Sequence, residues 1–172
     1  MKESTQVEVV IIGAGPAGCS AACILAEAGH RVLLLEREAF PRYKVGESMI
    51  PFTYFPLKRL GLVEKMRASH FVKKHSVQFV MPNGQASQPF YFSTRYDSNV
   101  AQTWQVLRSE FDQMMLDHAL DLGAEVWEET QVVDLIRNPQ GEVCGVLTRD
   151  RDGVESQVRA LMTIDASGKE AF

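Results

Sequence analysis

The first strongly patterned stretch of the chain is an apolar run, Val9, Val10, Ile11 and Ile12, that ends at three glycines, Gly13, Gly15 and Gly18. An unbroken apolar run of this kind suits a strand buried on both faces, and the residues after it open a helical pattern. Gly29 is placed to close that helix, and a second apolar run, Val32 to Leu35, ends at Glu36. The order is strand, tight turn, helix, strand. Residues 37–51, with Pro41 and Pro51 at the ends and Gly46 inside, then read as a loop that holds Arg42, Lys44, Glu47 and Ser48 close together.

Residues 52–68 read as a helical region interrupted by Pro56 and Gly61. From Phe71 the pattern turns to alternation at Val77, Phe79 and Met81, and a turn at 82–85 followed by Phe90 and Phe92 predicts a hairpin. Thr103 to Leu107 predict a short strand. Ser109 and Asp112 form a capping signature opening a helix to about Leu122, Gly123 ends it, and Ala124 to Glu128 predict another parallel strand. Three short antiparallel strands follow, Val132–Arg137, Val143–Arg149 and Val154–Arg159, separated by turns at 138–141 and 150–153. Ala160 to Ile164 predict a buried strand ending in Asp165-Ala166-Ser167-Gly168. The expected fold is α/β: one Rossmann-like dinucleotide-binding domain over residues 1–172, with a parallel sheet and an antiparallel three-stranded β meander.

The glycines stand at G-x-G-x-x-G spacing between a strand and a helix, where each has a task. Gly13 permits the turn, Gly15 lets a pyrophosphate approach the backbone, and Gly18 lets helix and strand pack closely. With Pro16 and Ala17 they form a helix N-terminus that offers backbone donors and the positive end of the helix dipole to phosphate. Glu36 follows Gly18 by 18 residues, the place of an acid that accepts ribose hydroxyls, and Arg37 beside it joins the binding set. A carboxylate there repels a 2′-phosphate, so FAD or NAD is favoured over NADP.

Composition narrows the partners. The 172 residues carry a formal net charge of −4, which gives no general attraction to nucleic acid or acidic membranes. The polar start MKESTQVE has no signal-peptide apolar region and the chain has no membrane-length apolar run, which makes a cytoplasmic location the expectation. Cys19 and Cys23 lie one helical turn apart and Cys144 stands alone; they read as packing residues, with no metal site expected. Trp127 and His118 likewise read as packing or surface positions.

Four ordered blocks together resemble the FAD-dependent monooxygenase and halogenase superfamily built on the glutathione-reductase-type fold: GAGPAG with Glu36, FPRYKVGESMIP, QVLRSEFDQMMLDHALDLGAEV and the final DASG. The resemblance implies FAD as cofactor, with Arg108 at the pyrophosphate or its surroundings and Asp165 to Gly168 closing over the cofactor. In the loop Val45 to Ser48, Gly46 permits close backbone approach and Glu47 and Ser48 can serve the flavin end of the site, Glu47 in a catalytic role, the alternative being a solvated connector. FPRYKVGESMIP looks most like the flavin-dependent halogenases acting on phenolic and pyrrolic substrates. Such enzymes use reduced FAD and oxygen to turn chloride into hypochlorous acid, which a lysine directs onto an electron-rich ring of a small-molecule substrate. Residues 71–77 match the block that carries this lysine and put Lys74 in its place. Strand parity disagrees: it puts Lys73 on the face of Val77, Phe79 and Met81 and Lys74 opposite, and the motif is followed here. The resemblance further implies a separate flavin reductase as a possible partner, and a chain that is the N-terminal portion of a longer protein. A flavin monooxygenase, a geranylgeranyl-reductase-like enzyme and a non-catalytic nucleotide-binding module are the alternative readings.

Overall fold

A computed structural model describes residues 5–97 and 99–170 of the chain; Met1–Ser4, part of the polar start, lie outside them. In chain order the elements are β1 (Thr5–Ile12), α1 (Pro16–Glu27), β2 (Val32–Leu35), α2 (Tyr54–Arg59), α3 (Val63–Ala68), β3 (Val72–Lys74), β4 (Ser76–Val77) and β5 (Phe90–Tyr91). They continue with β6 (Thr103–Gln105), α4 (Arg108–Asp121), β7 (Glu125–Trp127), β8 (Thr130–Arg137), β9 (Val143–Asp150) and β10 (Glu155–Asp165). These divide into two compact units, Met1–Tyr43 with Ser109–Phe172, and Lys44–Arg108.

The first unit holds a six-stranded sheet in the order β7-β2-β1-β10-β9-β8. β7, β2, β1 and β10 run parallel, and β10, β9 and β8 are antiparallel neighbours. β1 has a strand on each side, and its apolar run carries fully buried Val10 and Ile11, which point to opposite faces of the sheet. Val10, Leu33, Val146 and Val158 form the centre of one core cluster, against which Trp127 and Leu135 pack.

Two sequence expectations change here. The third meander strand and the one before DASG are a single strand, β10: Glu155–Arg159 pair with β9, and pairing with β1 runs from Val158 to Asp165. Its last part is not a buried strand, because Leu161 and Met162 are 80% and 56% exposed. The second change concerns Asp112. The helix begins one residue before Ser109, and Asp112 is fully buried with its carboxylate turned toward Arg42.

In the second unit β6 pairs antiparallel with β3, and β4 with β5. Leu57, Leu62, Met66 and Trp104 are among its buried residues. The expected inward face of Val77, Phe79 and Met81 is absent, since Phe79 is 70% and Met81 61% exposed. Only two residue pairs of the hairpin are laddered, with a lone bridge at Val80–Ala86, so no sheet face exists into which alternation could bury. Among the described residues no helix is long and apolar enough to cross a membrane.

Candidate functional site

In the first unit three segments converge at the end of β1. Gly13 has φ +96°, and a Cβ there would come within 2.7 Å of the Ala166 carbonyl oxygen. A Cβ on Gly18 would run into the Gly13 carbonyl. Both glycines are therefore demanded by packing, and the DASG block is what crowds Gly13. Gly15 differs. Its φ of −74° suits any residue, and a Cβ there would meet only Arg42 Nη2, at 3.7 Å. The bare Gly15 keeps space open where α1 begins. Pro16 starts that helix, no side chain caps it, and Ala17 and Gly18 lie in the first turn, whose N–H groups lack helical partners.

Glu36 directly follows β2 and is only 5% exposed. Its Oε2 accepts from Ala14 N–H at 3.1 Å and from Arg42 Nη2 at 3.2 Å, while Oε1 accepts from Glu38 N–H at 3.1 Å. A carboxylate offers about four lone-pair positions, so one remains for a ribose hydroxyl. Arg42 is equally buried; its Nη1 donates to Asp112 Oδ2 at 2.7 Å and its guanidinium lies 4.4 Å from the Phe40 ring centroid. Burial alone would lower the Arg42 pKa, but the Asp112 hydrogen bond and the charges of Glu36 and Asp112 outweigh it and raise it. Arg42 Nε is buried with no hydrogen-bond partner among the described residues.

The second unit carries the other candidates. Val45 to Met49 are tied down at both ends: Arg108 Nη1 donates to Val45 O at 2.9 Å beside Gly46, and Val106 N–H donates to Glu47 O at 2.8 Å. Backbone N–H groups of Glu47 and Gly46 hold the Glu47 carboxyl below the usual carboxylate range. Lys74 Nζ donates to Ser48 Oγ at 2.6 Å and to Met49 O at 3.1 Å, and it stands 5.8 Å from the Phe92 ring centroid. Lys73, the choice of strand parity, is exposed.

Of the remaining candidates, Arg37 is exposed and pairs with Glu38 at 3.8 Å, and Asp165 Oδ1 accepts from the Ser167 N–H and hydroxyl at 3.0 and 2.6 Å. Gly168 opens the short turn Gly168–Glu170. Cys19 is buried in α1, donates to Ala14 O at 3.2 Å, and has its thiol pushed up to about 12 chiefly by burial. From sequence, Arg42 reads as a loop residue with no assigned partner and Asp112 as part of a helix-capping signature. No local spacing links two residues 70 positions apart.

A protein-family model described as an FAD binding domain matches residues 6–171. The chain is 35% identical over 167 residues to the flavin-dependent halogenase armH3 of Armillaria mellea, covering 96% of this chain and 33% of that protein. It is 37% identical over 172 residues to the 1H-pyrrole-2-carbonyl-[peptidyl-carrier protein] brominase of Pseudoalteromonas luteoviolacea, covering all of this chain and 40% of that protein. Among solved structures, the myxobacterial chondrochloren halogenase CndH superposes with a TM-score of 0.87 at 36% identity, over 95% of this chain and 38% of that one. The chain thus spans between 33% and 40% of the length of these relatives. The residues present fit FAD: open space at Gly15, an uncapped helix start, and an acid with one acceptor position left beside an arginine with an unused donor.

Proposed function

Since the chain belongs to the FAD-binding domain family that it matches over residues 6–171, we propose that the protein containing it is an FAD-dependent oxidoreductase that activates oxygen and halogenates a small, electron-rich aromatic or pyrrolic molecule. The observation that carries this reading is the Lys74 ammonium, held by Ser48 and Met49 on the strand where halogenase-like sequence predicts the reactive lysine. Relatives named as halogenases and as a pyrrole-carbonyl brominase support it and favour a pyrrolic or phenolic ring. A separate flavin reductase is the proposed source of reducing equivalents.

Bound reduced FAD would supply the electrons for oxygen activation. In this reading Gly13, Gly15, Pro16, Ala17 and Gly18 receive its diphosphate, Glu36 accepts a ribose hydroxyl, and Arg37, Asp165 and Gly168 border the cofactor. Gly46, Glu47 and Ser48 shape the second unit's loop, which Arg108 braces. Lys74 donates an N–H to the oxygen of hypohalous acid and so orients its halogen. The halogen passes to a ring carbon, that carbon loses its proton, and the oxidant's oxygen leaves as water.

The test is incubation of the intact protein with reduced FAD, oxygen and bromide together with a panel of small pyrroles and phenols, with products read by mass spectrometry. A brominated ring is expected. Flavin reoxidation with hydroxylated and no brominated product would favour a monooxygenase and contradict the halogenase reading.

A further inference from the structure

The Lys74–Ser48 contact is built by strand order. Val72 in β3 and Ser48 both pair with Gln105 of β6, so they flank it on opposite edges. Met49 N–H donating to Trp104 O at 3.0 Å and Val106 N–H donating to Glu47 O at 2.8 Å lay residues 47–49 along that far edge. Neighbouring strands stand about 4.8 Å apart, so the backbones of Lys74, opposite Thr103, and Ser48, opposite Gln105, are two such steps apart across β6 and offset by two residues along it. Only a long side chain crossing β6 joins them, which fixes Lys74 at its backbone in β3 and at its ammonium on the loop.

An ammonium has three donors. Ser48 Oγ and Met49 O take two of those of Lys74. The third is aimed by the other two. Ser48 is exposed, so a hydrogen bond there adds little to folding stability. Its chemical effect is on direction.

We infer that Ser48 is the positioning residue of Lys74, setting where the remaining N–H points and so whether the oxidant is handed to a ring or released. This rests on the proposed role of Lys74. Replacing Ser48 by Ala leaves the Met49 carbonyl as the one hydrogen-bond acceptor of the ammonium among the described residues, beside the Phe92 ring, and lets the ammonium swing. Ser48→Thr keeps the hydroxyl.

The test compares wild type, Ser48→Ala, Ser48→Thr and Lys74→Ala in the intact protein with reduced FAD, oxygen and bromide. It reads the ratio of brominated product to flavin reoxidised. Without flavin, a second readout uses trace acetylation by acetic anhydride, comparing Lys74 with Lys73 by peptide mass spectrometry. Ser48→Ala is expected to cut the product ratio by about tenfold, the worth of one charge-assisted hydrogen bond, and to raise Lys74 acetylation toward that of Lys73. Ser48→Thr is expected to restore both. An unchanged ratio and unchanged acetylation in Ser48→Ala, with Lys74→Ala still losing bromination, would overturn the Ser48 assignment and leave Lys74 standing. Full bromination by Lys74→Ala would overturn both. Equal acetylation of the two lysines in wild type would overturn the contact itself.

Discussion

Arg42 holds two buried carboxylates at once, Glu36 at 3.2 Å and Asp112 at 2.7 Å. Removing it takes the shared cation away from both in a low-dielectric setting, so Arg42→Met is expected to destabilise the fold by about 3–5 kcal/mol. A denaturant melt showing no loss would mean that the cluster is solvated. Cys19 offers a second test at this scale. Its thiol, pushed up to about 12, stays protonated at ordinary pH, and a buried neutral thiol is a poor nucleophile. Iodoacetamide at mild alkaline pH is expected to label half-exposed Cys144 and spare Cys19; labelling of native Cys19 would contradict its burial. The glycines and Glu36 were legible because their roles follow from short-range spacing. Arg42 and Asp112 were not, because their bond exists only once α4 and the loop after β2 meet.

At the scale of elements, β9 meets β10 at Gly145, where φ is +149° and a Cβ would strike the Val158 carbonyl. Gly145→Ala is expected to cost about 1–3 kcal/mol through backbone strain, seen as a lowered melting temperature; an unchanged melt would contradict the close approach. The loop at Glu47 has a pH signature. A carboxyl whose pKa falls on folding supports its loop above the ordinary carboxylate range and loses that support as pH drops through the lowered value. Protection of the Gly46 amide from hydrogen exchange is therefore expected to hold at neutral pH and to fade only in acid, below the ordinary carboxylate range. Fading near neutrality would rule out this role. Long parallel strands were readable from apolar runs. The Phe79 and Met81 face was not, since alternation marks a strand without saying that another layer covers it. Joining two expected strands into β10 followed from partner exchange at Val158–Arg159, which side-chain pattern does not encode.

For the whole molecule, the family match over residues 6–171 runs through both compact units, and we read them as parts of one FAD-binding domain. The fold class was legible because strand, turn, helix and strand agree locally, and the DASG block then returns beside Gly13. The substrate of the proposed reaction was not legible, because the chain spans 33% to 40% of the relatives' length. The most direct test turns on the one glycine that the fold itself does not require. Gly15→Ala introduces a Cβ whose sole neighbour within 4 Å among the described residues is Arg42 Nη2, so thermal stability is expected to change by less than about 1 kcal/mol. FAD titrated calorimetrically into the intact protein is expected to bind the variant roughly a hundredfold more weakly than wild type, because the new methyl stands where the diphosphate approaches the helix start. Equal FAD affinity in wild type and Gly15→Ala would contradict the placement of the cofactor at this turn.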